Sequence, residues 1–302
     1  MGKDHEFAFY LGCIMPNRYP QIEKATRFVL EKLGYKLLDM EKAACCPAPG
    51  VLRSFDKVDW MVAAARNICI AEKLDRDILT VCNGCFGTLQ EVNKHLKENE
   101  EAREQVNEHL KKLGDYEYKG TIEVKHIGEF LGADIGPTEI QKYLVRKVKG
   151  RVTVHYGCHF LKPTRTRQVD SSENPVILDD FAEAIGLVSV DFRQKLTCCG
   201  AGGGIKAAYA ETSMKILGEK MKNMTAVQPD FILDVCPFCH LQFETGQDWL
   251  NKNKGTNYDL PVIHISQITA FCMGMDEQFV GLKYQMMGKD FKFTPVEVES
   301  HD

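Results

Sequence analysis

Residues 78–85 read Ile-Leu-Thr-Val-Cys-Asn-Gly-Cys, and residues 231–239 read Phe-Ile-Leu-Asp-Val-Cys-Pro-Phe-Cys. In both stretches a short, mostly apolar run that is typical of a buried strand leads directly into a Cys-x-x-Cys motif. Strands that alternate with helices form parallel sheets, and ligands bind such sheets beyond the carboxyl ends of the strands. Each stretch therefore predicts a pair of thiols at the ligand-binding edge of a parallel sheet.

The two stretches belong to a longer repeat. The chain has 302 residues and twelve cysteines, and two sets of five follow the patterns C-x31-CC-x35-CxxC and C-x39-CC-x36-CxxC. The first set is Cys13, Cys45, Cys46, Cys82 and Cys85, and the second set is Cys158, Cys198, Cys199, Cys236 and Cys239. Matched cysteines lie 145, 153, 153, 154 and 154 positions apart, so two short insertions explain every difference. The chain is therefore an internal duplication, for which we expect an N-terminal domain at residues 1–150 and a C-terminal domain at 151–302.

Hydrophobic periodicity predicts alternating strands and helices around the cysteines. In the first half we expect strands at 6–11, 35–38 and 78–81 and helices at 21–33, 56–74 and after Cys85. In the second half we expect strands at 151–156 and 231–235 and helices at 175–185, 207–224 and 241–250. The predicted fold class is α/β, with two similar Rossmann-like parallel-sheet domains related by a pseudo-twofold axis. Between them, the charged residues 97–112 predict a solvated helix, and residues 132–137 predict a break.

The composition is that of an ordinary globular protein, with 44% hydrophobic and 26% charged residues. A net charge of −4 excludes a strongly basic nucleic-acid-binding protein, and no apolar run approaches the roughly 18 residues that span a bilayer. Residues 1–6 are charged where a signal peptide is apolar, so we expect a cytoplasmic protein that does not span a membrane. In that reducing compartment, clustered thiols bind metals or carry out redox chemistry more often than they form disulfides.

Five thiols in each half exceed what a single metal ion uses. A structural zinc ion takes four ligands in a tetrahedron, and two adjacent cysteines cannot easily bind the same small ion. An iron–sulfur centre has several metal atoms, which the adjacent cysteines of each half could bind separately. The helix expected after each Cys-x-x-Cys motif adds free N–H groups that favour an anionic centre. A four-ligand zinc site with one spare thiol per half stays open as an alternative, as do disulfides.

The cysteine pattern resembles that of the duplicated cysteine-rich, or CCG, domain. The stretches Leu11-Gly-Cys-Ile-Met-Pro, Cys45-Cys-Pro-Ala-Pro-Gly and Cys236-Pro-Phe-Cys-His resemble the B subunits of archaeal heterodisulfide reductase. The resemblance implies that each set of five cysteines holds one noncubane 4Fe–4S cluster. It also implies that the coenzyme M–coenzyme B heterodisulfide is reduced to two thiols between the clusters, in methanogenesis. Each sulfur would be captured by a cluster iron, so the chemistry is assigned to the irons and no residue is named as catalytic.

Electrons must come from another protein, because the chain has no compact C-x2-C-x2-C-x3-C motif and no persuasive flavin or nicotinamide motif. The resemblance implies an iron–sulfur C subunit as donor and a flavin-containing A subunit, within a larger complex linked to a hydrogenase or formate dehydrogenase. Two other functions stay open. One is an electron-transfer subunit of another oxidoreductase with CCG domains, in glycerol-3-phosphate, glycolate or lactate oxidation or in thiol:fumarate reductase. The other is a zinc-stabilised interaction module.

Cations near the cysteines are candidate substrate contacts, because the implied substrate carries a sulfonate, a phosphate and a carboxylate. The candidates are Arg18, Lys162, Arg165 and Lys206, each of which could also be an ordinary solvated cation. The first three are expected on loops just after the first cysteine of each half. Lys206 ends the glycine-rich stretch 200–206, which lacks both the dinucleotide fingerprint and the Walker spacing. Its glycines more simply let the backbone approach a cluster beside Cys198 and Cys199.

Three histidines flank the second set of cysteines: His155 and His159 bracket Cys158, and His240 follows Cys239. They could donate hydrogen bonds to cluster sulfur or, as His155 and His159 above all, relay protons to the leaving thiolates. Ordinary buried or exposed histidines are the alternative. The two cysteines outside the repeat, Cys69 and Cys272, lie in apolar segments, where a buried free thiol is expected.

Overall fold

The computed structural model describes residues 5–298. The prediction about a signal peptide rests on residues 1–6, of which residues 1–4 lie outside this range. The described strands are β1 (Glu6–Tyr10), β2 (Lys36–Asp39), β3 (Ile78–Thr80), β4 (Val124–His126), β5 (Arg146–Lys149), β6 (Arg151–His155), β7 (Val188–Ser189), β8 (Phe231–Asp234), β9 (Val262–His264) and β10 (Thr294–Glu297).

Two four-stranded parallel sheets form the centre of the molecule, with the strand orders β2-β1-β3-β4 and β7-β6-β8-β9. The same order in both halves is what a duplicated sequence produces, and it confirms the predicted α/β class with two similar parallel sheets. Strands β1, β3 and β8 are almost wholly buried. Such continuous apolar runs are typical of parallel strands that are covered on both faces. A further two-stranded antiparallel sheet joins β10 to β5.

The helices lie between the strands. They are α1 (Ile14–Arg18), α2 (Pro20–Lys32), α3 (Leu52–Phe55), α4 (Lys57–Leu74), α5 (Asn83–Glu98), α6 (Glu100–Leu113), α7 (Ile127–Glu129), α8 (Pro137–Gln141), α9 (Cys158–Leu161), α10 (Thr164–Arg167), α11 (Ile177–Ala184), α12 (Ile205–Ala208), α13 (Ala210–Thr225), α14 (Pro237–Lys254), α15 (Ile265–Cys272) and α16 (Glu277–Val280). A π-helix covers Phe130–Ile135, and a 3-10 turn covers Leu282–Tyr284.

The structure corrects two predicted elements. The helix expected at 207–224 is two helices, α12 and α13, because the backbone of Tyr209 between them is not helical (φ −136°, ψ 60°). The break expected at 132–137 is confined to Gly136, whose φ of +83° favours glycine, while the π-helix continues through Ile135. The solvated helix predicted at 97–112 is α6 over 100–112, which buries only Val106 and Leu110, whereas residues 97 and 98 end α5 and Asn99 between the two helices is extended.

The two halves share a hydrophobic core. One buried cluster contains Ile22 and Val29 of the first half together with Ile265 and Ile268 of the second. Helix α15 packs against α2, and the Thr26 hydroxyl donates a hydrogen bond of 2.9 Å to the Ser266 hydroxyl between them. Because apolar side chains from both halves fill one core, the sheets hold a fixed relation to each other. The domain boundary near residue 150 stays a prediction.

Candidate metal centres

The ten repeated cysteines lie together at the carboxyl ends of the two sheets. In the first half, Cys13 follows β1 at the start of α1, and Cys82 follows β3 as the N-cap of α5. In the second half, Cys158 opens α9, and Cys236 follows β8 as the N-cap of α14. The Sγ atoms of Cys82 and Cys236 are 3.7 Å apart. The fold thus gathers two sets of five thiols and makes them neighbours across the pseudo-twofold axis.

The first set of cysteines lines a cavity of about 140 Å³. The remaining walls are almost wholly apolar: Leu11, Gly12, Ile14, Met15, Ala48, Gly84 and Phe238. Phe238 comes from the second half, so both halves enclose this cavity. Cys13 and Cys45 are exposed, whereas Cys46, Cys82 and Cys85 are buried. The cavity therefore has three thiols in its interior and two at its opening.

In both halves the residue before the first cysteine is a glycine, which leaves room for the sulfur atom of another cysteine. Gly12 has a φ of +67°, and a Cβ atom added there would lie 2.8 Å from the Sγ atom of Cys85. Gly157 has a φ of +73°, and its Cβ atom would contact the amide of Asn83 and lie 3.6 Å from the Sγ atom of Cys239. Only glycine combines this backbone conformation with such close approach to sulfur.

The second set of cysteines is more enclosed. Cys199 and Cys239 are buried with their Sγ atoms 3.4 Å apart, and Cys158 and Cys198 are half-buried. The Sγ atom of Cys198 accepts a hydrogen bond of 3.2 Å from the backbone N–H of Gly200. That glycine has a φ of +89°, so the start of the glycine-rich stretch bends back toward the sulfur of Cys198.

Crowding spreads the pKa values of the thiols apart. The pKa of Cys46 is lowered to about 6 because the thiols of Cys45 and Cys85 donate hydrogen bonds to it, and the pKa of Cys85 is raised by the same contact. In the second half, Cys158 and Cys199 lower the pKa of Cys198, and that of Cys158 is raised. Thiols this close cannot all ionise unless a cation lies between them, so this donor set fits a metal centre.

Helices α5 and α14 add electrostatic support. The pKa of Cys82 is held well below its ordinary value by donation from the thiols of Cys236 and Cys85, to which the N–H groups of Cys85 and Gly84 in the first turn of α5 add. Burial raises the pKa of Cys236, and the matched N–H group of Cys239 in α14 opposes that shift. Both Cys-x-x-Cys motifs thus direct a helix N-terminus at the centre, which favours negative charge there.

The structure brings His155 to the second set of cysteines. His155 is fully buried, and neither ring nitrogen has a hydrogen-bond partner among residues 5–298. A ring nitrogen and the Sγ atoms of Cys199 and Cys239 all lie within 4.8 Å of one another. His159 is half-buried, and its carbonyl accepts a hydrogen bond from Arg167. The His240 ring faces Asp234 instead of the cysteines, with its Nδ1 atom 3.2 Å from a carboxylate oxygen of Asp234.

The candidate cations occupy different surroundings. The Lys206 ammonium donates hydrogen bonds to Gln242 and Thr245 at 2.7 and 2.9 Å. Arg18 and Lys162 are exposed, and Arg165 lines a surface cavity of about 430 Å³. The prediction of loops was wrong for Arg18, which ends the short helix α1, and for Arg165, which lies within α10. Lys162 lies in extended backbone between α9 and α10 (φ −127°, ψ 144°), as expected for a loop.

The remaining two cysteines are core residues, as predicted. Cys69 on α4 and Cys272 at the end of α15 are free and buried, and each belongs to a hydrophobic cluster. Burial raises the pKa of each thiol to about 12, which keeps both neutral and unreactive.

The two cysteine repeats coincide with a known family. Residues 7–90 and 152–244 each match the cysteine-rich CCG domain family. The chain is 43% identical over 92% of its length to the B subunit of ferredoxin:CoB-CoM heterodisulfide reductase from Methanosarcina mazei, and covers 93% of that protein. The chain belongs to the family of heterodisulfide reductase B subunits. Membership confirms the resemblance seen in the sequence and the prediction of an iron–sulfur oxidoreductase subunit that acts on disulfides.

This family of B subunits has more distant relatives with other names. The chain is 29% identical to the 8-methylmenaquinol:fumarate reductase membrane anchor subunit of Wolinella succinogenes, over 93% of this chain and 97% of that one. A crystal structure of a hypothetical protein from Helicobacter pylori superposes on 94% of this chain and 52% of that one, with a TM-score of 0.74 at 17% identity. That likeness shows the fold alone. Within residues 5–298 no helix has the length and hydrophobicity needed to cross a membrane.

Sequence reasoning missed two buried ionisable residues at the second centre, Lys220 and Asp234. Both lie in segments that were interpreted as ordinary core-forming elements, α13 and β8. A usable signal was present in the repeat itself. The offsets of 153 and 154 match Lys220 with Asn67 and Asp234 with Thr80, so an ion replaces a neutral residue at both positions.

Proposed function

We propose that the chain reduces the coenzyme M–coenzyme B heterodisulfide to two thiols, with one noncubane 4Fe–4S cluster in each half. The observation that carries this proposal is the 3.7 Å approach of Cys82 to Cys236, which makes neighbours of two five-thiol centres. A disulfide has two sulfur atoms and needs two electrons. Two adjacent one-electron centres suit that stoichiometry.

The proposed ligands are all ten repeated cysteines. They are Cys13, Cys45, Cys46, Cys82 and Cys85 for the first cluster, and Cys158, Cys198, Cys199, Cys236 and Cys239 for the second. When bound, such clusters supply electrons one at a time. The chain itself contributes thiolates, the glycine contacts that leave room for sulfur, two helix N-termini and an apolar lining that excludes water.

Histidines are proposed to act on protons near the second centre. The ring of His155 lies beside Cys199 and Cys239, where an N–H group would donate a hydrogen bond toward sulfur. His155 is too deeply buried to exchange protons with solvent, whereas His159 is half-buried beside Cys158. We therefore assign the delivery of a proton to a departing thiolate to His159 and an orienting role to His155.

The anionic groups of the substrate are proposed to meet exposed cations. Arg18 and Arg165 are exposed on the short helices that follow the first cysteine of each half, and Lys162 is exposed in the loop between α9 and α10. The cavity beside Arg165 is lined by further cations, of which Arg53 and Lys94 form ion pairs with Glu91 and Glu98 and Lys57 does not, so Arg165 and Lys57 are the cations there that we propose for an anionic group. Lys206 is held by Gln242 and Thr245 and would reach the substrate only by leaving them.

The proposed electron donor is an iron–sulfur C subunit, served by a flavin-containing A subunit in a larger cytoplasmic complex linked to a hydrogenase or formate dehydrogenase. The fumarate reductase relative favours one second candidate, an electron-transfer subunit of a fumarate-reducing system. The two functions differ in their substrate. Turnover of the heterodisulfide by the isolated chain with a reduced dye supports the first, and electron transfer without such turnover supports the second.

Metal analysis tests the proposal most directly. Two 4Fe–4S clusters require about eight irons and about eight acid-labile sulfides per chain after anaerobic purification or reconstitution. A zinc-stabilised module would instead contain about two zinc ions and no sulfide. Iron and sulfide near eight, with dye-dependent reduction of the heterodisulfide, would support the proposal, and zinc without sulfide would refute it.

A further inference from the structure

The halves differ in charge beside their cysteines. Lys220 on α13 matches Asn67 on α4, and both residues hold the loop that carries the adjacent cysteines. The Asn67 amide accepts a hydrogen bond from the N–H group of Ala44 at 2.8 Å. The Lys220 ammonium donates hydrogen bonds of 2.9 Å to the carbonyls of Lys195 and Thr197. The two side chains have one structural role, but only Lys220 carries a charge.

The Lys220 charge is buried and lacks a carboxylate partner. Lys220 is 1% exposed, and no carboxylate within residues 5–298 lies at ion-pair distance from its ammonium group. Its ammonium group lies 5.4 Å from the centre of the Phe192 ring, and the second set of cysteines is near enough to interact with its charge. Burial lowers its pKa to about 8 and the nearby thiolates oppose that shift, so the group is protonated at neutral pH.

Other differences between the halves do not cancel this charge. Asp234 and His240 replace Thr80 and Phe86, but they lie 3.2 Å apart and compensate each other. His155 replaces Tyr10, and burial lowers the pKa of this histidine and keeps it neutral. Glu244 is a buried carboxylate that replaces Gln90, and it accepts hydrogen bonds from the Tyr19 hydroxyl and the Met286 N–H group rather than from Lys220. At a further matched pair both halves have a cation, Arg53 and Lys206. Arg53 has an ion pair with Glu91 at 3.0 Å, whereas Lys206 is held by neutral partners.

We infer that Lys220 makes the second centre the easier of the two to reduce, so that an electron from a low-potential donor resides first at the cluster of Cys158, Cys198, Cys199, Cys236 and Cys239. Reduction adds one negative charge to a cluster. A buried cation stabilises that charge strongly because little water screens the interaction. Lys220 does not contact the reacting atoms and acts only through the cluster. This inference rests on the proposed iron–sulfur function.

Potentiometric titration followed by electron paramagnetic resonance tests the inference on the reconstituted full chain. Two midpoint potentials are expected. The Lys220→Gln variant should lower the higher potential by an amount that corresponds to an about tenfold smaller equilibrium constant for reduction of that cluster. The Lys220→Arg variant, which keeps the charge, should retain both potentials. Lys222→Gln is the matched control, because Lys222 is exposed on the same helix. Unchanged potentials in a fully loaded Lys220→Gln variant would overturn the inference.

A second measurement covers the case in which Lys220→Gln loses a cluster. Cys46→Ala should leave only the second centre and Cys199→Ala only the first, so each remaining potential can be assigned to its half. The higher potential is expected in Cys46→Ala, and the reverse order would overturn the inference. Absence of iron from the unaltered chain would instead refute the proposed function, which separates the two failures.

Discussion

The two halves of the chain have the same backbone plan and different surroundings at their thiols. Three positions behind the first centre have neutral side chains, Tyr10, Asn67 and Thr80, and two of its cysteines are exposed. The second centre has His155, Lys220 and Asp234 at the matched positions and is more enclosed. Duplication therefore preserved the ligands, whereas the buried residues behind them diverged. The comparison indicates two sites with the same set of thiols that differ in charge and in access to solvent.

Replacing Cys82 or Cys236, which meet across the axis, has the largest expected effect on iron content and turnover. Cys82→Ala and Cys236→Ala should each reduce the iron content from about eight to about four and abolish turnover, because each removes a ligand of one cluster. Iron, sulfide and heterodisulfide assays measure this. Cys69→Ala, which removes a buried thiol outside the repeat, should retain all the iron at a stability cost of about 1 kcal/mol. Full activity of Cys82→Ala would contradict two equivalent ligand sets.

Alanine substitution of the matched glycines should have a different effect in each half. Alanine at Gly12 would place its Cβ atom 2.8 Å from the Cys85 sulfur at a φ of +67°, so the first cluster is expected to be lost. Alanine at Gly157 would contact the amide of Asn83, which bridges the halves by donating a hydrogen bond of 2.8 Å to the Tyr156 carbonyl. The Gly157→Ala variant should therefore lower the free energy of unfolding and retain its iron. Gly202→Ala is the control, since no atom lies within 4 Å of its added Cβ.

Matched histidines at the ends of β4 and β9 should give different pH dependences of stability. Burial lowers the pKa of His126 from its ordinary 6.5 to about 3, so the unfolded chain takes up a proton below pH 6.5 that the folded chain does not. The free energy of unfolding should fall by about 1.4 kcal/mol per pH unit for this residue as pH drops from 6.5 toward 3. His126→Asn should reduce that slope in urea unfolding of the metal-free protein.

The matched variant sharpens the result. Burial also lowers the pKa of His264, but Asp234 opposes the shift, so His264→Asn should change the slope less than His126→Asn does. Equal slopes for the unaltered chain and both variants would show that these histidines are not the groups that titrate.

The smallest expected effect concerns α6, for which the second half has no counterpart between α14 and β9 in the part of the chain that the structure describes. The Asn99 side chain caps this helix by accepting a hydrogen bond of 2.9 Å from the Ala102 N–H group. Asn99→Ala should lower the free energy of unfolding by about 1 kcal/mol in thermal unfolding, with unchanged iron content. A loss of iron would indicate that α6 supports the first centre.

Much of the fold was predictable because hydrophobic period and cysteine spacing are local signals. Strands β4 and β9 were missed because each has only three residues and no cysteine motif follows it, whereas the equally short β3 leads directly into Cys82. The interruption at Tyr209 was missed because Ala207 and Ala208 continue a helical pattern. Lys220 was missed for another reason: in sequence it is one lysine among several on an amphipathic helix, and only the folded chain, with Phe192 beside its ammonium group, buries it.

The sequence by itself determined the duplication, the parallel α/β plan and the identity of ten candidate ligands, because metal binding requires particular side chains at particular spacings. Only the tertiary structure decided that the two sets meet at Cys82 and Cys236, because that contact depends on how two sheets share one core. The tertiary structure also decided which charged side chains are buried. The energy of a charge depends on the dielectric around it, and burial of Lys220 is a property of the folded chain.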